Sequence, residues 1–502
     1  KVTGLTNAGK DAEMLSIPET INDIPVTRIA GYAMSGAKCY GITIPNSVRQ
    51  IGSYAFYNCP NLIYLEIPPS VTNAIPTALV YDCPKLGEVA FCLTNETSAV
   101  KIDNKCLREV PALTNVVVRG NGAMTLGDSA FYNLASIQVA TLQGVAEIES
   151  GSGWETGVFN GCANLEQVTL IDSPLRNIGN RTFRNCAALA SFAIPNTVTN
   201  IGSYAFSGCA ALKSAPLPEG LLSMGLGSFA NCTSLGEAKL PNSFRGDTGN
   251  YAYSEGYFAG CKSMTNLVIG SGIPVVKKFH LPFDSTNAFT VTVNGSGATV
   301  IERDAFKNTK AGSVVLNGVA SIEGTTSSGD GAFRDCTSLT EVVFGDGLAE
   351  IGGQAFRGCS ALRSVSLPNT VTNLGSYAFS GCTSLTELDL SGFNTSSVEY
   401  MSYLFSDCSS LKTVDLSGFD TSKVTNMARI FQACKSLQTL TLGSFVTSAA
   451  TDICCMFYGC TTLTSLDVSE FDTRNVTDMG GMFCSCYALT ALDLSNFDTH
   501  KV

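Results

Sequence analysis

Cysteine is the residue type with the most evident chemistry in this chain, which has 20 cysteines in 502 residues. Fourteen of them occupy the same position of a sequence repeat. If the repeats stack as neighbouring strands, the cysteines of consecutive repeats lie about 4.8 Å apart. That separation permits a disulfide, but parallel side chains rarely reach the required torsion of about 90°. We therefore predict that the cysteines at this position are free, buried thiols that behave as small hydrophobic side chains. They are Cys59, Cys83, Cys162, Cys186, Cys209, Cys232, Cys261, Cys336, Cys359, Cys382, Cys408, Cys434, Cys460 and Cys486.

The remaining cysteines lie off this register and are the candidates for disulfide bonds. The neighbouring pairs Cys454–Cys455 and Cys484–Cys486 lack the ligand spacing of a zinc site and a histidine partner, so we expect no metal and no other cofactor. Many free thiols are typical of a reducing or oxygen-poor setting. The off-register set is Cys39, Cys92, Cys106, Cys454, Cys455 and Cys484.

Catalytic constellations are not evident in the sequence. His280 and His500 are the two histidines, and neither forms a Ser–His–Asp or Cys–His pattern. There is no P-loop, and no G-x-G-x-x-G motif between a strand and a helix. The single Trp154 lies in a Gly/Ser-rich insert, either as an exposed contact residue or as a plug over a bulged repeat. We expect a protein that is not an enzyme.

A row of acidic residues is the set that most resembles a binding site. In strands of the pattern L-x-x-L-x-L, the two residues beside the central apolar residue face the same open side. Later repeats place acidic residues there, whereas earlier repeats place small neutral ones. The row would bind a cation or a basic ligand, or it would be a solvated row that keeps the sheet from pairing with others. Its members are Glu387, Asp389, Asp415, Asp467 and Asp493.

The elements that position these residues belong to a repeat of 23 residues, seen twice in the range Gln354–Leu390. The repeat reads A-F-x-x-C-x-x-L-x-x-(V/L)-x-L, and a Pro that cannot donate to a ladder often marks the strand exit. This predicts a strand, a bend, a short helical or 3-10 turn and a return. A Leu-rich period of this length is typical of a leucine-rich-repeat solenoid, here an α/β fold, curved, with about 22 repeats.

The period divides the chain into two parts. Residues 1–386 have repeats of about 23 residues, with irregular blocks near 84–160 and 262–332. Residues 387–502 have repeats of 26 residues, which we expect to continue the first part.

An internal duplication links the two irregular blocks. The sequence VVVRGNGAM at Val116–Met124 parallels VTVNGSGAT at Val291–Thr299, and Pro195–Cys209 differs from Pro368–Cys382 at one position. A block of about seven repeats has been copied. The irregular repeats could be a binding feature, or an accident that was copied faithfully.

Composition excludes several function classes. The formal net charge of −11 disfavours nucleic acid and anionic membrane surfaces as partners. No apolar run approaches the roughly 18 residues of a membrane span. The chain has no initiator Met and no signal peptide and stops partway through a repeat, so we expect a piece of a longer protein whose signal and anchor lie elsewhere.

The repeat L-x-x-L-x-(I/L)-P-x-x-V-x-x-I-G-x-x-A-F-x-x-C resembles the BspA-type (treponemal) class of leucine-rich repeats. The repeat LDLSGFDTSKVTNM resembles a second repeat type of surface proteins in the same group. The resemblance implies a bacterial cell-surface or secreted protein that adheres to a host or bacterial surface macromolecule, a protein or a glycan. The alternative is a passive spacer that displays another domain. We expect a monomer.

Overall fold

The structure, a computed structural model, forms two compact units, each described by itself. The first is Lys1–Ala238 with Gly246–Ser263, and the second is Lys239–Arg245 with Met264–Val502. The predicted change of period at residues 386/387 falls inside the second unit. Trp154 lies outside the described residues, which are 1–94, 100–151, 153, 156–246, 256–282, 284–325, 329–390, 393, 395–443 and 445–502.

Short parallel strands build the first unit, and its main sheet runs through successive turns of the chain in the order β1-β5-β8-β10-β13-β14-β15. One helix of four residues, α1, is Asn7–Lys10, and β2–β3 is an antiparallel pair. The strands are β1 Met14–Ser16, β2 Thr20–Ile21, β3 Ile24–Pro25, β4 Arg28–Ile29, β5 Gly41–Thr43, β6 Gln50–Ile51, β7 Phe56–Tyr57, β8 Tyr64–Ile67, β9 Val80–Tyr81, β10 Glu88–Leu93, β11 Lys101–Ile102, β12 Leu107–Arg108, β13 Asn115–Leu126, β14 Val139–Ile148, β15 Gln167–Ile171, β16 Asn177–Ile178, β17 Asn200–Ile201 and β18 Ser223–Met224.

The second unit has the same construction, with a 3-10 helix at Lys278–His280. Parallel pairing joins β20, β22 and β23, then β26 with β28, and β29 with β30. The strands, including β19 at the boundary, are β19 Glu237–Leu240, β20 Asn266–Ile269, β21 Val275–Val276, β22 Phe289–Ile301, β23 Ala311–Ile322, β24 Glu341–Phe344, β25 Glu350–Ile351, β26 Ser364–Ser366, β27 Asn373–Leu374, β28 Glu387–Asp389, β29 Thr413–Asp415 and β30 Thr439–Thr441.

The Phe, Cys and Leu of each repeat form the interior, as their spacing predicts. Phe356, Cys359 and Leu362 are each fully buried. Rings of successive repeats stack, with centroids 5.3 Å apart and planes 5° apart for Phe356 and Phe379. Because each ring covers the next, the apolar core extends along a unit one repeat at a time.

The expected helical turn of each repeat is not confirmed, and the reason lies in the hydrogen bonds of the A-F-x-x-C segment. The backbone amides of Tyr204, Phe206 and Gly208 donate to carbonyl oxygens of the next repeat at 2.7, 2.7 and 2.8 Å. Tyr204 also has a left-handed φ of 56°, which an α-helix does not accommodate. With alternate amides bonded outward, the segment is a series of turns rather than a helix. The structure is a β-solenoid of about 17 turns, and the expected 22 repeats are not confirmed.

The irregular blocks contain the longest strands and a matching bulge in each unit. In the pair β13–β14 the register passes from Arg119↔Gln143 to Met124↔Val145, so four residues face one glycine, Gly144. In β22–β23 the bulge recurs, with Gly318 opposite residues 295–298. Gly144 and Gly318 have φ values of 64° and 61°, a conformation that favours glycine. The duplicated sequences therefore fold into the same irregular structure.

Candidate functional site

The strand face is the surface that carries the predicted acidic row. Side chains alternate along each strand, so that β28 exposes two residues on either side of Leu388. All five predicted residues are exposed: Glu387, Asp389, Asp415, Asp467 and Asp493. The row is interrupted, because Thr441 lies in register with Asp415 on the neighbouring strand.

Three of these carboxylates also have a local structural role that the sequence reasoning missed. Asp415, Asp467 and Asp493 each accept a hydrogen bond from the backbone amide two residues on, at 2.8, 3.0 and 2.9 Å. Hydrogen bonds from the serine at that position lower the pKa of all three carboxyl groups. The aspartates thus form Asx turns at the strand exit, where the 23-residue repeats often use Pro.

A concavity of about 710 Å³ lies on the strand face around β24, β26 and β28. Glu341, Glu387 and Asp389 line it together with Val343, which is 42% exposed. Ser364 lies in register with Glu387, and Ser366 Oγ donates to Asp389 Oδ2 at 3.2 Å. Two of the five predicted row residues are therefore brought into one recess.

Sequence reasoning missed Glu341 and Val343 as parts of this recess. Val343 is in register with Val315, so two valines lie side by side on the open strand face. The equivalent pair in the first unit is Thr141 and Thr169. A comparison of EVVF at 341–344 with QVTL at 167–170 would have found both residues.

The thiols of the repeats have a role beyond packing. Each of the fourteen repeat cysteines donates its S–H group to a carbonyl oxygen of the preceding repeat. The acceptor is a Phe carbonyl in thirteen cases and the Met34 carbonyl, for Cys59, in one. Sγ–O distances are 3.2 Å from Cys209 to Phe183 and 3.3 Å from Cys382 to Phe356. The same carbonyl oxygens also accept from a backbone amide of their own repeat, at 3.2 Å from Cys186 to Phe183 and at 3.2 Å from Cys359 to Phe356. The thiol is therefore a second donor, and it links each repeat to the one before it.

Burial also lowers the chemical reactivity of thiols such as Cys209 and Cys408. It raises the pKa of Cys209 and Cys408 to about 12. The thiolate is the nucleophile and the metal ligand, so such groups are poor at either task near neutral pH. All 20 cysteines are free thiols, including the six off-register residues.

One further cluster of potential ligands lies in the 26-residue repeats. Oxygen atoms of Asp452 and Asp478 and the Cys454 sulfur lie within 4.8 Å of one another. Asp452 Oδ1 accepts from the Cys454 amide at 3.0 Å, and Asp478 Oδ1 accepts from the Gly480 amide at 2.9 Å. Burial raises the pKa of Cys454 to about 12. The carboxylates therefore serve as turn caps, and the thiol is not prepared for metal binding.

Neither histidine is placed in a catalytic arrangement. His280 is 2% exposed, and its Nδ1 accepts from the Lys277 amide at 3.0 Å. Burial lowers the pKa of His280 to about 3, so the ring is neutral. His500 is exposed and contacts Asp498 at 2.6 Å.

Among the described residues, no helix has the length and apolar character that crossing a bilayer requires. The stacked strands, the buried Phe–Cys–Leu positions and the open strand face define the chain as a leucine-rich-repeat solenoid.

The family description "BspA type Leucine rich repeat region" matches residues 15–152, 154–256 and 326–453 in six copies. The chain belongs to this BspA-type leucine-rich-repeat family. Residues 437–502 match a second family, described as a Mycoplasma protein of unknown function.

Several solved structures of bacterial proteins are similar to the chain. A leucine-rich repeat protein from Bacteroides ovatus is 24% identical, covers 80% of this chain and 86% of its own, and has a TM-score of 0.43. One from Eubacterium ventriosum is 18% identical over 75% of this chain and 91% of its own, with a TM-score of 0.32. A leucine rich cell surface protein from Faecalibacterium prausnitzii is 17% identical over 98% and 93%, with a TM-score of 0.23. No curated protein matches the chain.

Proposed function

We propose that this chain is part of a non-enzymatic bacterial cell-surface or secreted protein that binds a macromolecule. The partner is a host or bacterial surface protein or glycan, held by the strand face and the irregular repeats, and the chain acts as a monomer. The observation that carries the proposal is the exposed strand face, on which side chains alternate out of a ladder of parallel strands. Such a face presents many independent positions to one extended partner.

The acidic row Glu387, Asp389, Asp415, Asp467 and Asp493 belongs to this proposed surface. Asp415 and Asp467 are needed for turns through one oxygen, Oδ1 in each case. The second carboxylate oxygen of each aspartate remains available to accept a hydrogen bond, as does the Glu387 carboxylate beside Ser364. A partner for this surface would therefore offer hydrogen-bond donors.

Retention by the immobilised chain tests the proposal. We expect saturable binding of at least one member of a panel of host matrix proteins, bacterial surface proteins and glycans, measured by surface plasmon resonance. The control surface carries the same chain unfolded in urea and returned to buffer with its thiols alkylated. A panel without one saturable binder would contradict the proposal.

A passive spacer is the second candidate, and the turns made by Asp415, Asp467 and Asp493 favour it. If the only role of these carboxylates is to form the turns at the ends of the strands, their presence does not imply a ligand. The full reading frame separates the candidates, because a distinct functional domain beside the repeats favours the spacer.

A further inference from the structure

The duplicated block offers an internal comparison of the strand face. The two copies are offset by 173 to 174 residues over β15 and β24 and the strands that follow them. Gln167 corresponds to Glu341 and Ser214 corresponds to Glu387, and all four residues are exposed. The second copy has thus gained two carboxylates at positions where the scaffold accepts neutral side chains.

The same comparison shows an apolar gain beside these carboxylates. The threonine pair Thr141↔Thr169 of the first copy becomes the valine pair Val315↔Val343 in the second. Val343 remains 42% exposed, so the change does not fill the core. The Val343 side chain is therefore free to contact an apolar side chain of a partner, and such a contact would bury apolar area.

Two carboxylates of the recess, Glu341 and Glu387, have no ion pair among the described residues. Glu341 Oε2 has one long contact, 3.5 Å from Ser313 Oγ. None of the described residues that line the recess is Lys or Arg. The recess therefore places the negative charges of Glu341 and Glu387 next to the exposed apolar side chain of Val343.

From this face we infer the partner. We propose that the recess formed by β24, β26 and β28 docks a basic peptide segment that carries an apolar side chain beside its Lys or Arg residues. The cationic groups face Glu341, Glu387 and Asp389, and the apolar side chain covers Val343. This inference rests on the proposed binding function of the strand face, and it names the class of partner. Complementary charge gives such a surface its association rate and specificity, and the valine adds buried apolar area.

Fluorescence anisotropy with a labelled peptide of repeated Lys-Lys-Val triplets tests the inference. The Glu341→Gln/Glu387→Ser variant installs the residues of the first copy, so we expect it to fold, which circular dichroism checks. Two lost exposed ion pairs should raise the Kd about tenfold. The control, Glu166→Gln/Asp172→Asn, removes the same charge from exposed positions of the first unit and should leave the Kd unchanged. Equal binding by the wild type and the face variant, or equal weakening in both variants, overturns the inference.

A gain of binding gives a second, independent test. The first copy altered at Gln167→Glu, Thr169→Val and Ser214→Glu should bind a second Lys-Lys-Val peptide, so that the stoichiometry rises from one to two. A peptide of Glu-Glu-Val triplets should bind neither site. If the chain retains a glycan or a protein in the panel but the peptide results fail, the inference is wrong and the proposed function stands. If nothing binds at all, both are wrong.

Discussion

Phe206 in the first unit and Phe379 in the second occupy equivalent places in two copies of one block, and each ring stacks on the Phe of the preceding repeat. The ring centroids of Phe183 and Phe206 are 5.3 Å apart, and those of Phe356 and Phe379 are also 5.3 Å apart. On the strand face the equivalent residues differ, with neutral side chains in the first copy and carboxylates and valine in the second. The ring stack was kept, although the buried Phe192 beside it corresponds to Val365, and the strand face changed.

The difference teaches which residues the fold requires. A scaffold that holds either Ser214 or Glu387 at one position needs neither for folding. It does need the stacked rings, the thiols and the glycine bulges, which both copies retain. Surface changes between the copies should therefore affect binding, and interior changes should affect stability equally in both.

Removal of a stacked ring should have the largest effect. Phe206→Ala and Phe379→Ala should each lower the free energy of unfolding by about 4 kcal/mol, because each leaves a cavity between neighbouring rings. Urea denaturation measures both, and the exposed Ser364→Ala variant serves as the control, within about 0.5 kcal/mol of wild type. A loss in one copy that is less than half the loss in the other would break the equivalence of the two interiors.

Substitution of the bulge glycines should have the second largest effect on stability. A Cβ at Gly144 would contact the Gly120 carbonyl oxygen, and one at Gly318 would contact the Gly295 carbonyl oxygen. Together with the left-handed φ, this should cost about 3 kcal/mol for Gly144→Ala and for Gly318→Ala. Thermal unfolding of both variants is the measurement. Gly418→Ala, where a Cβ meets nothing within 4 Å, is the matched control. An unchanged Tm for either bulge variant would show that the bulge can relax.

Loss of one thiol donor should have a smaller effect. Cys209→Ala and Cys382→Ala remove the thiol donors to the Phe183 and Phe356 carbonyl oxygens, each of which keeps one backbone donor. Each variant should therefore lower the free energy of unfolding by about 1 kcal/mol in urea denaturation. Cys382→Ser keeps a donor at the same place and should cost less than Cys382→Ala. The opposite order would assign the thiol to packing alone.

Acid should distinguish the 26-residue repeats from the rest. Hydrogen bonds from Arg474 lower the pKa of Asp472 to about 2, and the carboxyl groups of Asp415, Asp467 and Asp493 shift in the same direction. A lowered folded pKa means stability that is present above the unfolded value of about 3.9 and is lost as the pH falls towards 2. Amide hydrogen exchange should show protection in residues 401–502 falling between about pH 4 and 2. In Asp472→Asn this loss should be smaller. An equal loss throughout the first unit would contradict the assignment.

Much of the interior could be predicted from the sequence because its period repeats many times. Phe356, Cys359 and Leu362 recur at fixed spacing, and the alternation along β28 places Glu387 and Asp389 outside. These inferences depend on periodicity within one chain segment, which a sequence displays directly.

What could not be predicted depends on atoms of neighbouring repeats. The expected helical turn is not formed because the Phe206 amide donates to the Ser228 carbonyl oxygen of the next repeat. The helix propensity of the segment gives no information about this partner. The recess around Val343 needs three strands side by side, and the turn role of Asp415 depends on a backbone amide. The five residues of the acidic row are exposed, as the alternation along the strands predicts, and their binding role stays a prediction.

The thiol-to-carbonyl bonds turn the cysteines into reporters of motion. Each Sγ–H is held until its repeat separates from the one before it, as Cys382 is held by the Phe356 carbonyl. A thiol reagent added to the native chain then reacts at the rate at which that contact opens. Mass spectrometry of the alkylated sites would rank the repeats by their opening frequency, with one natural probe in most of them. The native cysteines would thus report the local opening of the repeats without an introduced label.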